Sequence, residues 1–388
     1  MMEIIADRNQ LSSCLQKIQS ILEKSSSLNN SENILLQTRE NELQIIAFDQ
    51  NCSARGSIMA EINQGGTISL NGRKIYDLVR SLSDDRVRIL QNSETSLISI
   101  EDSKSSFKIL SADIEEFPEI NFKIPELSMT IESDNLIQLI DLTIFSIAKI
   151  SDPRYNLQGV FLEIEPLNRL SEDDSLHQEK EINPGSHLFS LIATDGHRVA
   201  VARTNQIAGR INLGDRKIFS RKSLLEIKSV FGLQETLKLG FENNEVVIRG
   251  NGFVLILRML QGDFPDYRKM IPENFIHHLV MEREPLLSTV RQMNLLAQEH
   301  YRGVFMEFSQ EGLKISIDNP EMGHGHTDLP LDYQGDPILI GFNINYLLDF
   351  LQAVPDEKIV LQVNDKTQPC VIRGQEHEDF MCGIMPIS

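Results

Sequence analysis

One pattern, repeated three times along 388 residues, constrains this chain more than any single motif. Helix-like stretches open at Arg73, Arg221 and Asn343, each followed by strands of period-two alternation and then by an Xaa-Pro step at Pro118, Pro265 and Pro386. The prolines fall 45, 44 and 43 residues after the helix starts. A unit of this length folds as a supersecondary block, so three in a row predict an arc or ring of similar domains. An earlier helix precedes each one, at 8–22, 134–149 and 284–302, where Leu, Ile and Met recur at helical spacing. The second helices are read at 73–82, 221–230 and 343–354. Strand pairs lie between the two helices of each copy, at 34–48, 160–194 and 304–317, and further alternation follows the second helix, as in Leu237, Leu239 and Phe241. Polar turns such as ENNE at 242–245 join the later strands. The fold class predicted is α+β, with two helices packed on antiparallel sheet in each of three domains, near 1–125, 126–265 and 266–388. Proline-bearing stretches at 115–127 and 262–274 supply the joints.

The middle copy is longer between its helices than the others. The extra length is assigned to 167–186, LNRLSEDDSLHQEKEINPGS, a polar and acidic segment expected to form a surface loop. Four cysteines, Cys14, Cys52, Cys370 and Cys382, show no CxxC spacing, so neither a zinc site nor a disulfide framework is indicated and a reducing compartment fits. The N-terminus lacks an apolar run and no later segment is long enough to span a bilayer, which predicts a soluble, cytoplasmic protein.

Charge reads differently by total and by place. With 37 basic and 56 acidic residues the net charge is −19, which argues against a polyanion as partner. Yet the six helices together sum to +4, leaving −23 elsewhere. If all helices share one face of the sheets, that face is mildly basic. Helix surfaces attract lysine and arginine in many proteins. Paired steps at Arg73-Lys74 and Arg221-Lys222, however, open equivalent helices where positive charge opposes the helix dipole, so helix stability does not account for them. Phosphate contacts do.

Catalytic fingerprints such as GxxxxGK[ST], HExxH and GxSxG are missing from the sequence. The most enzyme-like run is LIATDGHRVAVAR at 191–203, where Asp195 and His197 could form an acid/base pair; the plainer reading makes Gly196 a tight turn with His197 exposed at its edge. The GHGH run at 323–326 has HxH spacing that could bind a metal, against the reading of glycine-flanked loop histidines facing solvent; His277-His278 is weighed the same way. No cofactor or metal is called for.

Five strings carry a resemblance: ATDGHRVAVAR at 193–203, QGDFPDYRKMIP at 261–272, EHYRGVFMEFS at 299–309, GFNINYLLDFLQAV at 341–354 and the terminal IMPIS. Together, in order and across the whole chain, they resemble the bacterial sliding clamps, the beta subunits of DNA polymerase III. The resemblance implies a non-catalytic protein of three clamp domains, half of a six-domain ring formed by a head-to-tail homodimer. Helices line the inner wall around double-stranded DNA and sheets form the outside. It also implies processivity in replication, with the polymerase III catalytic subunit, a clamp loader and other polymerases and repair proteins as partners. A mildly basic lining suits such a ring, because a topological link needs only weak, sequence-independent attraction to phosphates.

Carried onto this sequence, the family's partner-peptide groove falls on Arg154, Leu157, Thr194, Gly196, His197, Arg198 and Val199, with Pro265, Lys269, Met270, Tyr346, Met385, Pro386 and Ile387. The plain alternative for Val199 and Met270 is core packing. DNA contact is expected from Lys24, Arg73, Lys74, Arg80, Lys149, Arg154, Tyr155, Arg221 and Lys222, and ring closure from Phe107 and Ile109 meeting Leu295 and Leu296 of the other subunit. The chain departs from the family pattern in lacking an arginine within SSSLNN at 25–30, in having Asn156 where a second aromatic is expected, and in ending MPIS without a longer basic tail. Two rival readings remain at this point: an acidic protein-interaction scaffold that does not encircle DNA, and a hydrolase using Asp195 and His197.

Overall fold

The computed structural model describes residues 2–22, 32–92, 95–115, 117–167, 179–183, 185–212, 217–377 and 379–387. The first repeat runs β1 (Glu3–Asp7), α1 (Arg8–Ile18), β2 (Asn33–Arg39), β3 (Glu42–Phe48), β4 (Cys52–Gln64), β5 (Thr67–Asn71), α2 (Gly72–Ser81), β6 (Arg86–Gln91), β7 (Leu97–Glu101) and β8 (Ser106–Leu110). The second runs β9 (Ser128–Glu132), α3 (Ser133–Asp141), β10 (Gly159–Pro166), β11 (Glu179–Ile182), β12 (His187–Thr194), β13 (Arg198–Thr204), β14 (Ile207–Asn212), β15 (Lys217–Ser220), α4 (Arg221–Val230), β16 (Thr236–Glu242), β17 (Glu245–Gly250) and β18 (Phe253–Arg258). The third runs β19 (His277–Glu282), α5 (Arg283–Met293), β20 (Gly303–Ser309), β21 (Gly312–Asn319), β22 (Gly323–Leu329), β23 (Ile338–Asn343), α6 (Ile344–Ala353), β24 (Lys358–Val363), β25 (Cys370–Gly374) and β26 (Phe380–Ile384).

Side-chain caps set several helix starts: Asp7, Asn71, Ser220 and Asn343 each accept a backbone N–H from the first turn. The helix ends differ from expectation. The helix expected over 134–149 stops at Asp141, where the Thr143 hydroxyl donates to the Leu139 carbonyl at 2.7 Å and competes with the ladder. Lys149 therefore lies in a loop. The helix expected over 284–302 ends at Met293 and tightens into a 3₁₀ turn, Asn294–Leu296; the first one likewise passes into a 3₁₀ turn, Gln19–Ile21. Most of the 167–186 insertion lies outside the described residues, but its Glu179–Ile182 stretch is not loop: it pairs with β14. The GHGH run is not loop either, since it forms the first four of the seven residues of β22, paired with β21.

Every ladder is antiparallel, and two of them cross from one repeat to the next. Strand β18 pairs with β4, placing Leu255 opposite Ala54, and β26 pairs with β13, placing Cys382 opposite Ala200. The same hydrogen bond closes both joints, from Ser57 N–H to the Gly252 carbonyl at 3.0 Å and from Arg203 N–H to the Asp379 carbonyl at 2.9 Å. The equivalent strands β8 and β22 finish their sheets, with no outer neighbour among the described residues.

Helices α1 and α2, α3 and α4, and α5 and α6 pack in pairs over a continuous apolar core, and α1 meets α4 across the first joint. On the opposite face of the sheets each linker lies across its joint. Phe117, Ile120 and Ile124 cover Ile46, Val254 and Ile256 at the first; Phe264, Met270 and Ile271 cover Phe161, Val199 and Val201 at the second.

The threefold proline is only twofold. After the last strand of each repeat the chain makes one bridge back, Ser69 to Ala112, Ile218 to Leu260 and Gly341 to Ile387. Pro118 and Pro265 follow that bridge within linkers, whereas Pro386 precedes it, so the similar spacing of Pro386 is a coincidence of a longer last hairpin.

Candidate DNA-facing helices and partner groove

The basic residues on the helical layer divide into free and engaged. Arg73, Lys74 and Arg80 of α2 are exposed, as is Lys149, and none makes a side-chain hydrogen bond or ion pair among the described residues. Arg73 and Lys17 border a cleft of about 810 Å³ between α1, α2 and the end of α4. Tyr155 is 74 % exposed, and neighbouring Ile150, which sequence reasoning missed, is 88 % exposed. By contrast Lys222 pairs with the buried Asp49 across the first joint, and Arg221 donates to the Ile144 carbonyl at 2.8 Å. Burial and the nearby Arg198 guanidinium lower the Arg221 pKa. Arg154 is held by Asp152 through two hydrogen bonds of 2.9 and 2.7 Å, which draw the Asp152 pKa down to about 2. Lys24 lies outside the described residues.

At the second joint the groove residues separate into a wall and a rim. Leu157, Thr194, Arg198 and Val199 are buried, so they build the wall; Val199 sits in the cluster under the linker. The rim is formed by His197, Pro265, Lys269, Met385 and Ile387, all exposed, with Met270, Tyr346 and Pro386 half-buried. Gly196 turns the chain between β12 and β13 with φ of +88°, a conformation costly for residues with a Cβ, and an added Cβ would stand 2.7 Å from Arg154 Nη1. The C-terminal segment docks by two backbone bonds, Met385 N–H to the His197 carbonyl at 2.8 Å and Ile387 N–H to the Gly341 carbonyl at 2.9 Å.

Arg198 organises the wall. Its guanidinium binds Asp195 at 3.1 Å, Asp349 of α6 at 2.7 Å and the Phe145 carbonyl, and lies 4.3 Å from the Tyr346 ring centroid. Three elements from two repeats meet on one cation. Asp349 and Phe145 carried no sequence signal, because their role depends on tertiary approach alone. The same geometry removes the hydrolase reading: Asp195 accepts from the backbone of His197 and Arg198 and pairs with Arg198, so it does not serve the His197 ring as an acid/base partner. Among the described residues no three metal-ligating side chains gather into a cluster, and no helix is long and apolar enough to cross a membrane.

Of the residues expected at ring closure, Phe107 and Ile109 project from β8 on the same side as the buried Ile98 and Ile100 of β7 that flank them, and Leu295 is 78 % exposed beyond α5. Leu296 is half-buried beneath Gly325 of β22. Leu110, at the end of β8, is 73 % exposed and was not anticipated.

Comparison with known proteins identifies the family. Models described as the N-terminal, central and C-terminal domains of the DNA polymerase III beta subunit match residues 2–121, 180–266 and 268–388. The beta sliding clamp of Vibrio cholerae is 28 % identical over 390 residues, covering all of both chains, and that of Pseudomonas aeruginosa is 27 % identical over 391, again covering both fully. Among solved structures, the Pseudomonas aeruginosa sliding clamp bound to griselimycin is 25 % identical with a TM-score of 0.86, covering 100 % of this chain and 99 % of that one. A Thermotoga maritima beta subunit, 22 % identical and covered fully on both sides, shares the fold with a TM-score of 0.85. Three domain models in order, full-length relatives and a shared fold place the chain in the DNA polymerase III beta subunit family, the bacterial beta sliding clamps.

Proposed function

We propose that two copies of this chain close head to tail into a six-domain ring around duplex DNA, with the helical layer inward, and that the groove at the second joint tethers the replicative polymerase. The chain is a DNA sliding clamp and a non-catalytic processivity subunit. The observation that carries the ring is a pair of sheet edges with no outer partner among the described residues: β8 and β22 hold the positions that β18 with β4, and β26 with β13, fill inside the chain. A head-to-tail contact of this kind either closes or propagates, and a pair of three-domain arcs closes. Edge pairing also satisfies backbone groups that would otherwise invite aggregation.

The rim of the groove suits a short peptide with apolar anchors, since Met270, Met385 and Ile387 offer adaptable apolar surface beside the polar His197. Polymerase, clamp loader and repair proteins are read as competitors for this one groove, which places the protein with the cytoplasmic replication machinery. A related clamp binds griselimycin, and that supports a ligand-accepting pocket on this family's fold.

The test is retention on nicked circular DNA. A ring stays bound on circles and is lost on linearisation; an interaction scaffold shows no dependence on DNA ends, and that result would refute the ring.

A further inference from the structure

The internal repeat fixes more than which edges meet. Helix caps and ladder pairings give the same correspondence in every repeat: Ser53, Val199 and His324 are equivalent, as are Ile256, Gly383 and Lys108. Both internal joints obey it, pairing Ile256 with Ser53 and Gly383 with Val199. The repeated hydrogen bond from Ser57 to Gly252 and from Arg203 to Asp379 falls on the same register. Applied to the free edges, it sets Phe107 opposite Gly325, with Lys104 opposite Asp328, Ser106 opposite His326 and Lys108 opposite His324.

The sides follow from the pleat. Phe107 flanks the buried Ile100, so it turns toward the helices, over the glycine that leaves room above Leu296. Lys108 and Ser106 then point to the other side, as do His324 and His326, which are exposed and alternate with the inward Gly325 and Thr327. At the internal joints a linker covers that outer side, lying over Val254 and Ile256 beside Ser53 and Arg55 at the first and over Val199 and Val201 at the second. At the chain ends its counterparts are Ser99, Ser106, Lys108, Ser316, His324 and His326, polar residues suited to water. Among the described residues no linker cluster covers them.

We propose that β8 closes on β22 of a second copy in this register, and that His324 and His326 make this joint acid-sensitive, unlike the two internal ones. The proposal rests on the ring reading. Histidine changes charge between about pH 5 and 8. On its own chain His324 faces Asp318 and His326 faces Ser316, with Asp328 and Lys314 farther along; these groups are present whether or not the ring is closed. Closure adds Lys108 beside His324 and Ser106 beside His326, with Glu101 one strand beyond Ser106. The added direct neighbour is a cation, so imidazolium disfavours closure. Acidification adds that repulsion to the joint, so closure weakens as pH falls. Directly opposed like charges on a sheet weaken pairing by about 1.4- to 5-fold, and two joints per ring make that roughly 2- to 30-fold in the dimer dissociation constant.

Two measurements test this. Sedimentation equilibrium at about pH 8 and about pH 5.5 reads the dissociation constant; the full-length chain should loosen on acidification, and the His324→Gln, His326→Gln double variant should not. Oxidation of a Ser106→Cys, His326→Cys variant should give a covalent dimer, because directly hydrogen-bonded strand pairs stand about 5.5 Å apart at Cα, within disulfide reach. The offset control Ser106→Cys, His324→Cys should not. A pH-independent constant, an unchanged slope in the double variant, or preferential cross-linking of the control overturns the proposal while leaving a ring. A chain that stays monomeric at both pH values and never cross-links overturns the ring reading itself.

Discussion

Replacing Arg198 by methionine removes the one cation that ties β13, Asp195 and the 3₁₀ turn at Phe145 to α6. The side chain is only 7 % exposed, so its two carboxylate partners and a carbonyl lose a buried counterpart at once. Breaking a buried pair by removing one member costs about 3–5 kcal/mol. Asp349 is 38 % exposed and water takes up part of its loss, which moves the expectation to the lower end, about 3 kcal/mol. Loss of the contact with the Tyr346 face acts in the same direction. The damage is local to the second joint, so native-state hydrogen exchange of the β13–β26 ladder is the suitable assay: a loss of about 3 kcal/mol speeds exchange there roughly 150-fold, while the β4–β18 ladder keeps its protection. Arg198→Lys should fall between, because an ammonium keeps the charge but cannot form the fork. An acceleration under about fivefold, the value of an exposed pair, would show that the guanidinium does not hold the joint.

Burial raises the Glu226 pKa, against the opposing effects of Ser20 and Lys222. A carboxyl whose folded value lies above its unfolded one binds more protons when folded, so stability falls as pH rises from the ordinary carboxylate range through the raised value; Glu226→Gln should flatten that slope in urea titrations at several pH values. Tyr267 donates to Glu163 at 2.8 Å, and its phenol is pushed up to about 12 by burial and that carboxylate. Tyr267→Phe leaves Glu163 with Arg268 as its remaining clasp, and should cost about 1 kcal/mol and speed proteolysis of the second linker. Gly196→Ala must hold φ of +88° with a Cβ beside Arg154, so it should weaken peptide binding in a fluorescence titration while the circular dichroism spectrum stays native. Arg73→Gln with Lys74→Gln should reduce the salt dependence of loading but leave retention on closed circles unchanged, because topology rather than phosphate contact holds the ring.

Local rules account for what could be read from the chain before its structure. Helix starts at Arg8 and Arg221 follow from Asp7 and Ser220, short-range caps with a sequence signature. Helix ends were legible only where the apolar spacing stopped; past Asp141 it continues through Leu142, Ile144 and Ile147, and the hydroxyl of Thr143 decides the end. The histidines of GHGH look like a loop because glycine flanks them, and only pairing with Ser316 and Asp318 across β21 makes a strand of them. The groove strings fall together at the second joint, but they do not say which side chains face out. Burial of Arg198 requires Asp349, 151 residues away, to arrive beside it. Polarity at the ends of the repeat was legible all along, but its meaning needed the register.

The engaged cations bear on how a strongly acidic chain can hold DNA without stopping on it. Of the helix-borne positive charges, Lys222 and Lys228 are paired with Asp49 and Asp141, and Arg221 with a carbonyl, so each helps join elements of the protein. Among the described residues, the cations without a side-chain hydrogen bond or ion pair include Arg73, Lys74 and Arg80 of α2, Lys149 on a loop and Arg291 of α5, while Lys17 of α1 lies over the Phe253 ring. A tight grip would need many such charges in fixed register with the phosphates, and each would add a barrier to translation along the duplex. A few free cations on long, mobile side chains, set in a molecule of net charge −19, attract the polyanion without matching its spacing. The paired steps at Arg73-Lys74 and Arg221-Lys222 therefore look alike in sequence and differ in setting: the first is exposed and available to phosphates in the proposed ring, and the second is tied to Asp49 across the first joint and to the Ile144 carbonyl.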